Sequence, residues 1–130
     1  MSNYNFSTIN DKEFESLVLD ILNTEFEFNL QEFKVGKDKG IDLRFSSEKN
    51  KNSIIVQAKH YLKSGYSQLK STLKNEELPK VKKLHPDRYI IATSLELSAN
   101  EKDELVTIFH PYILTANDIF SNQDLNKFLR

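Results

Sequence analysis

Four side chains in the first half of the chain have types and spacing suited to one reaction. In the strand-like run 41–46, Ile41, Leu43 and Phe45 share one face and leave Asp42 on the other. In the run 53–61, Ile55, Gln57, Lys59 and Tyr61 point one way, and Ile54, Val56, Ala58 and His60 the other. If the two runs pair as a hairpin, Asp42, Gln57 and Lys59 converge on one patch. Glu15, at the flank of an amphipathic helix, can be brought to the same place. Two carboxylates, an amide oxygen and an ammonium answer the demands of phosphodiester hydrolysis, in which oxygen ligands hold a hard cation and negative charge builds on phosphate oxygens. Asp42 and Glu15 would ligate Mg²⁺, with Mn²⁺ as a substitute, and the Gln57 side-chain oxygen and Ala58 carbonyl would serve as neutral ligands. Lys59 would orient or deprotonate the attacking water and offset charge in the transition state, a contribution of ~2.7 to 4 kcal/mol.

The elements that must position these groups can be read from periodicity and turn chemistry. Phe14, Leu17, Val18, Ile21 and Leu22 form one helical stripe, and Asn10 with Glu13 makes a capping box before it. Strand-like runs follow at 29–35, 41–46 and 53–61, separated by a turn between Gly36 and Gly40 and by the polar stretch 47–52. Ser64 is expected to open a helix with Tyr66, Leu69 and Leu73 facing inward and Ser67, Lys70 and Lys74 on the other face, interrupted by Pro79 before a short piece to Leu84. A buried strand at 89–93 is followed by a helix capped by Ser98 and Glu101 that stops at Pro111. A short strand at 112–114 and a terminal helix from Ser121, with Leu125, Phe128 and Leu129 on its face, complete the order α, β, β, β, α, β, α, β, α. With no repeat, low-complexity tract or linker, residues 1–130 read as a single α/β domain.

Composition removes several alternatives. The 130 residues contain no cysteine, which excludes disulfides, thiolate nucleophiles and cysteine-ligated zinc and fits a cytoplasmic setting. No apolar run is long enough for a membrane span, and the acidic first twenty residues do not form a signal peptide. The net charge of −1 conceals a strong asymmetry. Residues 1–33 carry one Lys against seven acids, residues 34–88 carry fourteen Lys and Arg against six, and residues 89–130 carry three against six. The basic middle, net +8, is what a phosphate-facing surface requires. Lys37, Lys39 and Lys63 flank the site and are the candidate phosphate contacts, while Tyr61 and Tyr66 are the aromatic residues placed to neighbour DNA. His60, His85 and His110 are not read as metal ligands.

The run Gly-Lys-Asp-Lys-Gly-Ile-Asp at 36–42, followed by Gln-Ala-Lys at 57–59, resembles the PD-(D/E)xK nucleases and, within them, the Mrr-type restriction endonucleases. The resemblance places Glu15, Asp42, Gln57 and Lys59 residue by residue on the family's pattern. It implies a restriction endonuclease-like core, a central mixed β-sheet of about four to five strands flanked by helices. Two positions depart from the superfamily name and are similar to the Mrr branch: Ile41 stands where Pro would, and Gln57 replaces the second acid. Further along, Arg88-Tyr-Ile-Ile-Ala-Thr-Ser, the segment 97–104 and Asn117-Asp118-Ile119 with Leu125-Asn126 resemble nuclease domains fused to STAND-type NTPases in bacterial antiphage defence. That resemblance implies an effector module of a longer protein with NTPase and sensor parts.

The function this supports is Mg²⁺-dependent cleavage of DNA by a dimer or higher homo-oligomer, because one active site cuts one strand. Structure-selective cleavage, as in the similar archaeal junction resolvases, is a variant of it. The rival is a binding module of the same fold, for nucleic acid or a protein partner, with a vestigial site; Gln57 in place of an acid is the feature that keeps it in play.

Overall fold

The structure, a computed structural model, describes residues 6–26, 30–33, 44–47, 54–61 and 65–129, with the strands at 30–33 and 44–47 described by their backbone. After a single turn of 3₁₀-helix at Phe6–Thr8, helix α1 spans Asp11–Glu25. Its start is the expected capping box, with Asn10 Oδ1 accepting from the Glu13 amide at 2.8 Å and the Asn10 amide donating to Glu13 Oε1 at 2.9 Å. Strands β1 (Leu30–Phe33), β2 (Arg44–Ser47) and β3 (Ile54–Lys59) follow. Helix α2 (Tyr66–Thr72), a wide turn (Leu73–Glu77) and α3 (Leu78–Leu84) lead to β4 (Arg88–Thr93). Helix α4 (Ala99–Phe109), a 3₁₀ turn at Ala116–Asp118, β5 (Ile119–Phe120) and α5 (Asn122–Phe128) close the order.

The sheet is mixed and follows chain order, β1-β2-β3-β4-β5. The first three strands run antiparallel, with Arg44 opposite Gln57 and Phe45 opposite Val56, and the last three run parallel, with Gln57 beside Ile91 and Lys59 beside Thr93. The two central strands, β3 and β4, are buried along nearly their whole length, which is why both read as almost continuous apolar runs. Alternation along β3 sorts the core into two layers. Val56 and Ala58 pack with Phe14, Val18 and Leu22 of α1 and Leu125 of α5, whereas Ile55 packs with Leu69, Leu73, Val81, Leu105 and Phe109 on the other face. This is the α/β sandwich of helices on a mixed five-stranded sheet that the sequence implies.

Four local expectations are corrected. Pro79 does not interrupt the helix of residues 66–84: the missing proline N–H and the ring's clash with the carbonyl four residues back are absorbed by the wide turn, where the Leu78 amide bonds to the Leu73 carbonyl instead of that of residue 74. The helix is capped by Gly65 and not opened at Ser64, which lies outside the described residues. Residues 112–114 form no strand; Tyr112 accepts one bond from the Tyr89 amide, and the β5 pairing falls at Ile119–Phe120, which sit beside Ile91 and Ala92. Two short apolar runs within ten residues cannot be ranked by periodicity. Leu129 follows α5 as its C-cap residue and is exposed, while Leu125 is buried and Phe128 packs against the core.

Candidate active site

Lys59 closes β3, and the alternation that buries Ala58 against α1 turns Lys59 to the α2–α3 side of the sheet. Lys59 is only 6% exposed, and its ammonium donates to Glu77 Oε2 at 3.1 Å. Glu77 is 2% exposed and sits at the end of the wide turn, where Lys80 also approaches its Oε2 at 3.7 Å. Two residues before Lys59, on the same face as Ile55, comes Gln57, fully buried, with neither amide atom hydrogen bonded. A buried amide left this way costs about 1 to 3 kcal/mol, so the position is held against a real penalty.

Glu15 reaches the same region from the opposite layer. It lies at the edge of the buried stripe of α1, itself largely buried, and lines a cleft of about 250 Å³ together with Asp11, Ala58, Lys59, His60 and Tyr61. The end of β3 is therefore the point where the two layers open onto a common space. His60 fastens them there. Its ring stacks on Phe14 with centroids 4.8 Å apart, its Nε2 donates to the Ile9 carbonyl at 3.0 Å, and its Nδ1 lies 2.8 Å from Ser94 Oγ. Ser94 in turn accepts from the Tyr61 amide at 2.9 Å and donates to the Tyr61 carbonyl at 3.0 Å, tying the ends of β3 and β4 together.

Of the residues singled out from the sequence, Glu15, Ala58 and Lys59 line this cleft and Gln57 lies just behind it on β3. Asp42, Lys37, Lys39 and Lys63 lie outside the described residues. Tyr66 is partly buried and donates to Glu104 Oε1 at 2.5 Å, away from the cleft-lining set. Burial first, and then Glu104, push its phenol to resist ionisation far beyond its ordinary range, while Lys70 and then Tyr66 hold the Glu104 carboxyl below the usual one. His60 points away from Gln57 and Lys59, as the alternation requires. The residue that sequence reasoning missed is Glu77. Its signal was present: Leu69, Leu73, Glu77 and Val81 recur every four residues, and three of the four are buried apolar side chains. A lone acid inside such a stripe asks for a buried cation to face it.

The Gln57 amide tests whether a metal would suit these residues. A buried acceptor oxygen with nothing donating to it, on the strand that carries Lys59 and close to the cleft that holds a carboxylate, fits a hard cation's preference for oxygen ligands.

The pattern of a restriction endonuclease family matches residues 6–98, which takes in α1, β3, the wide turn and β4. The protein y4cD of Sinorhizobium fredii, described as uncharacterized, is 42% identical over 127 residues. Those residues are 98% of this chain and 19% of that protein, so the chain spans about a fifth of the length of the curated relative it matches. No solved structure matches.

Proposed function

The chain belongs to the restriction endonuclease family, and on that premise we propose that it is a Mg²⁺-dependent endonuclease acting on the phosphodiester bonds of DNA. The observation that carries this reading is the meeting of Lys59 and Glu15 in one cleft at the end of β3, with the unbonded Gln57 amide beside them on the strand. Asp42 stands two residues before Arg44, and Lys59 two residues after Gln57, the residue paired with Arg44. That spacing supports grouping Asp42 with Lys59 across the hairpin.

In this reading Asp42 and Glu15 would hold the cation with their carboxylates, and the Gln57 oxygen and Ala58 carbonyl would be the remaining protein ligands. Bound Mg²⁺ would supply Lewis acidity toward a phosphate oxygen. Hydrolysis joins a water oxygen to phosphorus as one P–O ester bond breaks. Lys59, its ammonium held by Glu77, orients that water and offsets charge on the phosphate oxygens, while solvent takes the water's proton and water protonates the leaving oxygen. Lys37, Lys39 and Lys63, within the basic stretch 34–88, are assigned to the DNA backbone. Tyr66 joins them through its ring, since its hydroxyl is already committed to Glu104.

The share of the relative that the chain spans supports a module within a longer protein, and the resemblance of residues 88–94, 97–104 and 117–126 is the ground for assigning it NTPase and sensor parts elsewhere, with antiphage defence as the setting. Residues 1–130 form one domain in this reading, working as a homo-oligomer because each site cuts one strand. Among the described residues no helix is long and apolar enough to cross a membrane, and a chain without cysteine suits the cytoplasm. A second reading, an inactive binding module, is favoured by one observation: the Lys59 ammonium is engaged by Glu77 while an amide stands where a second acid would be. Incubating the purified chain with supercoiled plasmid separates the two. The nuclease reading expects nicked or linear DNA with Mg²⁺ and none with EDTA; intact plasmid under both conditions, in the presence of any NTPase portion, favours the binding module.

A further inference from the structure

We propose that Glu77 is the positioning residue for Lys59, setting where the ammonium stands at the cleft; this rests on the nuclease reading of Lys59 given above. A lysine at the end of a strand has four rotatable carbons and no fixed direction of its own. Here the Nζ is drawn to the α2–α3 side by a carboxylate 3.1 Å away, and both side chains are under one-tenth exposed. A buried carboxylate is costly without a cation to face it, so a merely structural stripe would carry an apolar residue at this position, as it does at Leu69, Leu73 and Val81. The backbone is also specialised to deliver it. The wide turn Leu73–Glu77 bonds five residues back, taking more residues per turn than the 3.6 of a regular helix, and so keeps a stripe spaced by four on the side facing β3. Wide turns of this kind occur frequently at functional sites. Lys80, one turn on and partly exposed, approaches the same oxygen at 3.7 Å, which leaves the shorter and more buried contact to Lys59.

The test compares Glu77→Gln and Glu77→Asp with the unaltered chain, on supercoiled plasmid with Mg²⁺. Positioning predicts that Glu77→Gln lowers kcat at least tenfold with KM for plasmid within twofold, and that Glu77→Asp, which keeps the charge, recovers part of the loss. Equal kcat for Glu77→Gln and the unaltered chain would overturn the proposal. A second readout needs no cleavage: trace acetic anhydride on the folded proteins, with acylation of Lys59 and of exposed Lys74 read by mass spectrometry. Lys59 should be acylated several-fold faster in Glu77→Gln, with Lys74 unchanged; equal rates at Lys59 overturn the proposal. If no protein cleaves, the nuclease reading fails and acylation alone decides the role of Glu77. If Glu77→Gln does not fold, Glu77→Asp carries both comparisons, expected to show a smaller loss of kcat and a smaller rise in acylation.

Discussion

The His60 ring stacks on Phe14 at a centroid distance of 4.8 Å with its plane 16° from that of the phenyl ring, so the residue after Lys59 touches the residue before Glu15. Each ring nitrogen is also engaged, one with the Ile9 carbonyl and one with the Ser94 hydroxyl. Two hydrogen bonds at about 1 kcal/mol each and an aromatic contact of about 0.5 to 1.5 kcal/mol make His60→Ala costly, by roughly 2 to 4 kcal/mol. Urea unfolding checks this. A loss under 0.5 kcal/mol would show that the two layers do not depend on this clamp.

Much of this arrangement was legible in the sequence, and the reasons are local. The capping boxes at Asn10 and Ser98 specify the starts of α1 and α4 by hydrogen bonds within four residues. The alternation in β3 assigns Gln57 and Lys59 to one face and His60 to the other without any tertiary information. What was not legible depended on distant chain. The pairing of Lys59 with Glu77 spans 18 residues; the stripe around Glu77 asks for a buried cation, but nothing local to it says which. The wide turn that carries the helix through Pro79 is a tertiary accommodation, in which packing of Leu73 and Val81 on the sheet outweighs the proline's local penalty. The β5 pairing at Ile119–Phe120 rather than 112–114 depends on which of two apolar pairs meets Ile91 and Ala92.

Gln57 should trade stability for ligation. Replacing it by Met, of similar length and without polar atoms, removes an unbonded buried amide, and the metal-free chain should gain about 1 to 3 kcal/mol in chemical unfolding. The same variant should lose most of any rise in Tm that the unaltered chain shows on addition of Mg²⁺ or Mn²⁺. A Gln57→Met chain that is less stable without metal would mean that the amide is satisfied in solution.

Acid stability should depend on Asp124. Burial pushes its carboxyl up, but Lys102 and both the backbone amide and hydroxyl of Ser121 pull it further down, leaving it below the ordinary range. A carboxyl depressed in the folded state stabilises the fold above its unfolded pKa of about 3.9 and loses that contribution as pH falls through the lower folded value. Tm measured from pH 6 down to 2 should therefore drop less steeply in Asp124→Asn than in the unaltered chain below about pH 4. Parallel curves would contradict this.

DNA affinity should be governed by salt. With fourteen Lys and Arg against six acids in residues 34–88, log Kd should rise with log salt concentration by about 0.9 per phosphate neutralised. Lys37→Ala and Lys63→Ala should each flatten that dependence by roughly one contact, measured by fluorescence anisotropy on a labelled duplex. Binding that ignores salt, or no binding at any salt, would favour a protein partner over DNA.

In the nuclease reading Lys59 acts on a phosphodiester. The most direct measurement is the initial rate of plasmid nicking by the unaltered chain and by Lys59→Ala, with Mg²⁺, at matched fractions folded by circular dichroism. Lys59→Ala should nick at least ~10² more slowly, the loss of one transition-state charge stabiliser. Equal rates for the two folded proteins would contradict it.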